Sequence, residues 1–259
     1  MIHTKSPTEL RIMEEGGKIL SEVLWEVLDE IKPGVSEIEL DRLAEDLIFK
    51  KGAYPAFKKV EGYSHATCIS TNSVVVHGIP TDYRLKEGDI VGVDCGILYK
   101  GFNTDMSETI RVSTNNRQQL TAKKEDKIGK FLETGKKALT LAIKQAVVGN
   151  RIGHISKAIQ DTVEEGGYSV VRSLIGHGIG RKLHEEPEIP GFLDKKIENT
   201  PRLSQNMTIA IEVIYNMGKP DVVYSEGDNW TIKTEEGSLS GLFERTVAIT
   251  KAGPLTLTA

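Results

Sequence analysis

The sequence predicts an α+β fold, and three observations carry that prediction. Apolar residues at helical spacing gather in two helix pairs, over 6–52 and 118–168. Strand-like runs lie between and after these pairs. Lys100-Gly101 reads as a two-residue hairpin turn between two of those runs, so neighbouring strands pair antiparallel. Helices set apart from antiparallel strands define the α+β class.

The first helix opens at Ser6-Pro7-Thr8-Glu9. A capping serine, proline at the first helical position and glutamate three residues after the cap agree on the start. Ile12, Met13, Ile19, Leu20, Val23, Leu24, Val27, Leu28 and Ile31 follow at helical spacing, and "KPG" at 32–34 ends the run. A second helix runs from Ser36 to about Lys51 and stops at Gly52. The order then recurs. A long helix from 118 ends near Val148, a shorter one covers Ile155–Glu165, and Gly149 and Gly167 stand 18 residues apart, as do Gly34 and Gly52. This predicts an internal duplication of two α+β halves.

"HATCIST" and "SVVVHG" are short β-like runs joined near Asn72. "DIVGVDCGILY" (89–99) and "FNTDMSETIRV" (102–112) flank the Lys100-Gly101 turn, and further strands cover 207–216 and 241–250. No linker or low-complexity tract interrupts the chain, which reads as one domain over 1–259.

Composition narrows the function. The chain is 39% hydrophobic and 27% charged with net charge −4, so no basic field points to nucleic acid. Lys123, Lys124, Lys127 and Lys130 alternate with acids and read as a solvated helix face. The N-terminus lacks a signal-like apolar stretch, and no apolar run reaches membrane-spanning length. Cys68 and Cys95 form no CxxC, so a reducing cytoplasm is expected.

Chemistry enters through acids placed in apolar strands: Asp94 in "IVGVDCGIL", Glu212 in "MTIAIEVIY" and Glu244 in "GLFERTVAI". An unpaired buried carboxylate costs several kcal/mol or takes up a proton. Three in one chain point to a shared cation. With a two-residue turn at Lys100-Gly101, Asp94 opposes Ser107, and Asp105 lies diagonal to Asp94 on the same face. A three-residue turn would turn Asp105 to the other face. "GHGIGRKLHEEP" (176–187) adds His177 and His184; by itself the stretch leaves open whether it is a glycine-rich turn or part of an active site. Four carboxylates with His177 suit Mn, Fe, Co or Zn, and exceed what one ion needs. There is no GxSxG elbow, and Asp94 beside Cys95 works against a reactive thiolate there.

The chain resembles the type I methionine aminopeptidases, of pita-bread α+β fold, over essentially its whole length. The likeness lies in "CISTNSVVVHGIP", "GDIVGVDCGILYKGFNTD", "GHGIGRKLHEEP", "NMTIAIE" and "DNWTIKTEEGSLSGLFERT", in order and with the family's spacings. That fold has two related halves with helices outside a central curved sheet. The resemblance implies two divalent metal ions, with Asp94 on one, Asp105 and Glu244 bridging, and His177 and Glu212 on the other. It also implies a bridging hydroxide that cleaves after an N-terminal methionine when the second residue is small. Glu212 would shuttle the proton, while His184 and His77 would bind the peptide. Tyr63, Cys68 and Trp230, with Phe57, Val60 and Leu183, would line the methionine pocket. The implied substrates are N-termini of new proteins, met by a monomer in the cytoplasm with at most passing ribosome contact.

Val213, Leu242, Arg245 and Leu183 depart from the family's usual residues, which bears on pocket shape and tuning rather than on the ligands. An Xaa-Pro aminopeptidase shares the fold but usually carries a large preceding domain; Asp94 comes early for that pattern.

Overall fold

The computed structural model describes residues 2–114 and 126–259. The start of the third helix, predicted near 118, lies outside the described residues, as do Lys123 and Lys124.

Four described helices follow the predicted order: α1 (Pro7–Asp29), α2 (Glu37–Lys50), α3 (Lys127–Gln145) and α4 (Ile152–Glu165). Both α1 and α2 open on a capping box, Ser6 with Glu9 and Ser36 with Glu39. Asp126 caps α3 through Gly129 N–H. Helix α4 starts at Ile152, a turn before the predicted Ile155. The glycine intervals mark equivalent places: Gly34 and Gly149 have φ of 94° and 92°, Gly52 and Gly167 of 75° and 81°. These left-handed values favour glycine, so each helix pair ends its members the same way.

The strands are β1 (Tyr54–Pro55), β2 (Thr67–Thr71), β3 (Val74–Val76), β4 (Ile90–Tyr99), β5 (Phe102–Arg111), β6 (Ser169–Val170), β7 (Ile175–Gly178), β8 (Glu185–Pro190), β9 (Thr208–Asn216), β10 (Val222–Tyr224), β11 (Ile232–Thr234), β12 (Ser240–Thr250) and β13 (Gly253–Thr256). The main antiparallel sheet runs β1-β4-β5-β12-β9-β7-β8, with β2 on β4, β6 on β9 and β13 on β12. A smaller sheet runs β10-β11-β3. Strands β2 and β3, adjacent in sequence, thus belong to different sheets.

The hairpin register is the predicted one. Tyr99 pairs with Phe102, and both Lys100 and Gly101 take positive φ, as a two-residue primed turn demands. Alternation then sorts every strand. Val91, Val93, Cys95, Ile97, Met106 and Ile110 face α1 and α2 in one apolar cluster. Ile209, Ile211, Val213, Tyr215, Phe243, Val247 and Ile249 face α3 and α4 in another. The helices therefore cover one face of the sheet, and the polar residues between these apolar ones face the other. Among the described residues, no helix is long and apolar enough to cross a membrane.

Candidate metal centre and active site

The face turned away from the helices carries two adjacent rows of side chains. In the first, register aligns Cys68 of β2 with Asp94 of β4, Asp94 with Ser107 of β5, Ser107 with Glu244 of β12, and Glu244 with Glu212 of β9. The second row, two residues along, holds Gly96 opposite Asp105, then Thr246, with Thr246 opposite Ala210 and Ala210 opposite His177 of β7. Thr246 Oγ1 ties the row together, accepting from Asp105 N–H at 2.9 Å and donating to Asp105 O at 2.8 Å. Period-two side-chain direction thus brings acids from four strands and one imidazole to a single place.

Ligand atoms of Asp105, His177 and Glu244 all lie within 4.8 Å of one another. Glu212 Oε1 is 3.5 Å from His177 Nε2. Asp94 Oδ1 and Glu244 Oε1 are buried without a hydrogen-bond partner. Burial pushes the Asp105 carboxyl up to about 7. Burial first, then the neighbouring acids, raises Asp94, Glu212 and Glu244 well above the carboxylate range. A cluster of buried acids that repel one another, with oxygens left unsatisfied, is the electrostatic signature of a cation site. The donor set of carboxylate oxygens and one imidazole nitrogen fits divalent transition metals.

The His177 ring is oriented as a ligand would need. The structure places it on β7 of a β7–β8 hairpin, where the sequence alone left a glycine-rich turn open. Nδ1 lies 2.9 Å from Gly178 O and donates to it, which leaves the Nε2 lone pair facing Glu212. Burial lowers its pKa to about 4, so the ring is neutral, as a ligand must be. The flanking glycines admit close backbone: a Cβ on Gly176 would meet Ala210 O at 2.5 Å, and one on Gly178 would meet Glu186 O at 2.2 Å.

His184 and His77 are not among the clustered ligand atoms, although His184 touches His177. The His184 ring sits edge-on to His177, centroids 4.5 Å apart, and is exposed. His77 follows β3 with φ of 55°, and burial lowers its pKa, helped by His184. His77, His177, His184 and Glu212 all line one cleft of about 830 Å³. Beside it, all six predicted pocket residues meet in one apolar cluster: Phe57, Val60, Tyr63, Cys68, Leu183 and Trp230. Tyr63 packs on Trp230 at 5.1 Å, and His77 also packs on Trp230, at 6.4 Å.

The chain matches the metallopeptidase family M24 over residues 11–251. The chain belongs to this family. Within it, the methionine aminopeptidase of Clostridium perfringens is 41% identical over 258 residues, covering 100% of this chain and 99% of that protein. Methionine aminopeptidase 1 of Bacillus subtilis is 40% identical over 98% of this chain and 97% of its own length. The crystal structure of the Thermotoga maritima methionine aminopeptidase superposes with TM-score 0.91 at 38% identity, covering 100% and 99% of the two chains. The prolidase of Pyrococcus furiosus shares the pita-bread fold at TM-score 0.74 and 26% identity, and this M24 chain spans 65% of it.

The sequence reading missed the residues that hold the substrate side in place. Asp41 of α2, 4% exposed, accepts from Ala66 N–H, Thr67 N–H and Thr67 Oγ1 at 2.8–2.9 Å, with His65 Nδ1 at 3.1 Å. Glu37, one turn earlier, accepts from Thr71 Oγ1 and from Thr81 N–H and Oγ1. Two carboxylates at i and i+4 thus anchor the segments bearing Tyr63, Cys68 and His77. The departures also find partners. Arg245 points to the helix face, pairs with buried Glu108 at 2.7 Å and donates to Ser107 O and Glu244 O. Val213 is core, Leu242 packs with Val75, Val76 and Ile214, and Leu183 joins the apolar pocket cluster. Cys95 is fully buried; burial, more than Asp94, raises its thiol.

Proposed function

We propose that the chain is a metal-dependent aminopeptidase that removes N-terminal methionine from new proteins, as a monomer in the cytoplasm. The observation that carries this reading is one juxtaposition. Cys68, in the apolar cluster, sits in register with Asp94, in the acid cluster. An apolar side chain held in that cluster would lie next to the metal ligands.

Asp94, Asp105, Glu244, His177 and Glu212 would hold two divalent ions, with Asp105 and Glu244 between them. When bound, the ions supply Lewis acidity that makes water a nucleophile near neutral pH. Glu212 lines the cleft and would take a proton from the attacking water and return it to the leaving amine. His184, exposed at the rim, donates to the substrate carbonyl as charge develops. His77, held against Trp230, orients the peptide on the leaving-group side. The aromatic and sulfur surfaces of Tyr63, Trp230 and Cys68 suit a thioether. The proposed activity includes a preference for a small second residue.

The test is a set of three peptides with metal-loaded protein, read by mass spectrometry. Methionine release from Met-Gly-X but not from Met-Leu-X, with Ala-Pro-X intact, is the expected result. Cleavage of Ala-Pro-X, as a prolidase-like enzyme would give, overturns the reading.

A further inference from the structure

A second groove opens along β10, lined among others by Arg172, Ser173, Leu174, Val222, Tyr224 and Glu235. Ser173 and Leu174 also line the cleft that holds His77 and Glu212. The two hollows therefore share these residues as lining. Strand β10 lies at the end of the small sheet, and among the described residues β11 is its strand partner. Its apolar side chains are exposed, Tyr224 at 66% and Val223 at 37%.

The hydrogen bonds fix which way β10 points its main chain. Glu235 N–H donates to Asp221 O at 3.1 Å, and Ser225 N–H donates to Thr231 O at 2.7 Å. Amide groups alternate sides along a strand. Asp221, Val223 and Ser225 thus direct theirs to β11, and Val222 and Tyr224 direct theirs to the open edge. An edge of this kind, beside a groove, accepts an extended chain as an added strand.

We propose that this groove binds the downstream segment of the substrate polypeptide, extended along β10. The proposal rests on the aminopeptidase reading, because a chain with its N-terminus in the cleft leaves past Ser173 and Leu174. Main-chain pairing tolerates any sequence. Arg172 lines the groove together with Asp221 and Glu235, so both signs of charge are present along it. Both properties suit an enzyme that meets many different proteins.

The experiment compares a Met-Gly-X tripeptide with a longer peptide sharing its first three residues. In the wild type the longer peptide has a KM lower by about tenfold, the equivalent of two or so net main-chain hydrogen bonds. Tyr224→Pro removes an outward N–H, and the longer peptide's KM rises to the tripeptide's while tripeptide kinetics stay unchanged. Tyr224→Ala, which keeps the main chain, loses part of the advantage. Equal KM for both peptides in the wild type overturns the proposal. So does a labelled long peptide, its N-terminus intact, that binds wild type and Tyr224→Pro alike, whether or not the tripeptide is cut. A tripeptide left intact by the loaded protein overturns the aminopeptidase reading instead. Sedimentation showing a dimer that Tyr224→Pro dissolves assigns the edge to a second copy and overturns the proposal.

Discussion

At the scale of single residues, the two histidines of "GHGIGRKLHEEP" face different surroundings. His177 has one nitrogen committed to Gly178 O and the other turned to the acids. His184 touches its ring edge-on and faces solvent. Their substitutions should therefore separate. His177→Ala is expected to lose metal-induced stabilisation in a melting experiment. His184→Ala should keep that stabilisation and lose about 10²-fold or more in kcat, the usual worth of one donor to a developing oxyanion. Equal loss of metal response in both variants would contradict the division. The acids were legible in the sequence because a carboxylate inside an apolar strand is conspicuous. Asp41 and Glu37 were not, because on an amphipathic helix an acid is ordinary until the loops it anchors are known.

At the scale of elements, helix α2 is more than a cover for the sheet. Its Glu37 and Asp41 fasten the segments that carry the apolar pocket and His77. Asp41→Ala strips a buried carboxylate from three donors and should cost about 3 kcal/mol in chemical denaturation. It should also raise KM for methionine peptides while leaving metal affinity, read by calorimetry, as in the wild type. A fall in metal affinity equal to the rise in KM would place Asp41 in the wrong half of the site. Long elements were readable from pattern: α1, α2, β4, β5, β9 and β12 stand close to their expected places. The β4–β5 register followed from Lys100-Gly101 alone. Strands of two to four residues, such as β7, β10 and β11, offer too few alternations to reveal a period. The β7–β8 hairpin was hidden for a further reason: its glycines answer to close backbone approach, which local propensity does not record.

At the scale of the whole molecule, two similar halves each bring a strand pair to the middle of the sheet, and the acids converge where β5 meets β12. Function here opposes stability. Without a cation, burial holds the Asp105 carboxyl near 7 against an ordinary value of 3.8. The folded chain then binds more protons than the unfolded one, so its stability is present below the ordinary value and lost as pH rises toward 7. Cation binding requires the deprotonated acids and releases protons. The metal-free protein should melt lower at pH 7.5 than at pH 5, and divalent cation should raise Tm more at the higher pH; a metal response that shrinks with pH would contradict this. The central claim is that Asp94, Asp105, His177, Glu212 and Glu244 form one site for two ions. Anomalous diffraction from manganese-soaked crystals tests it most directly. Two peaks about 3.5–4 Å apart, with Asp105 and Glu244 between them, are the predicted result; no peak among these five residues, in crystals that bind manganese elsewhere, would contradict it.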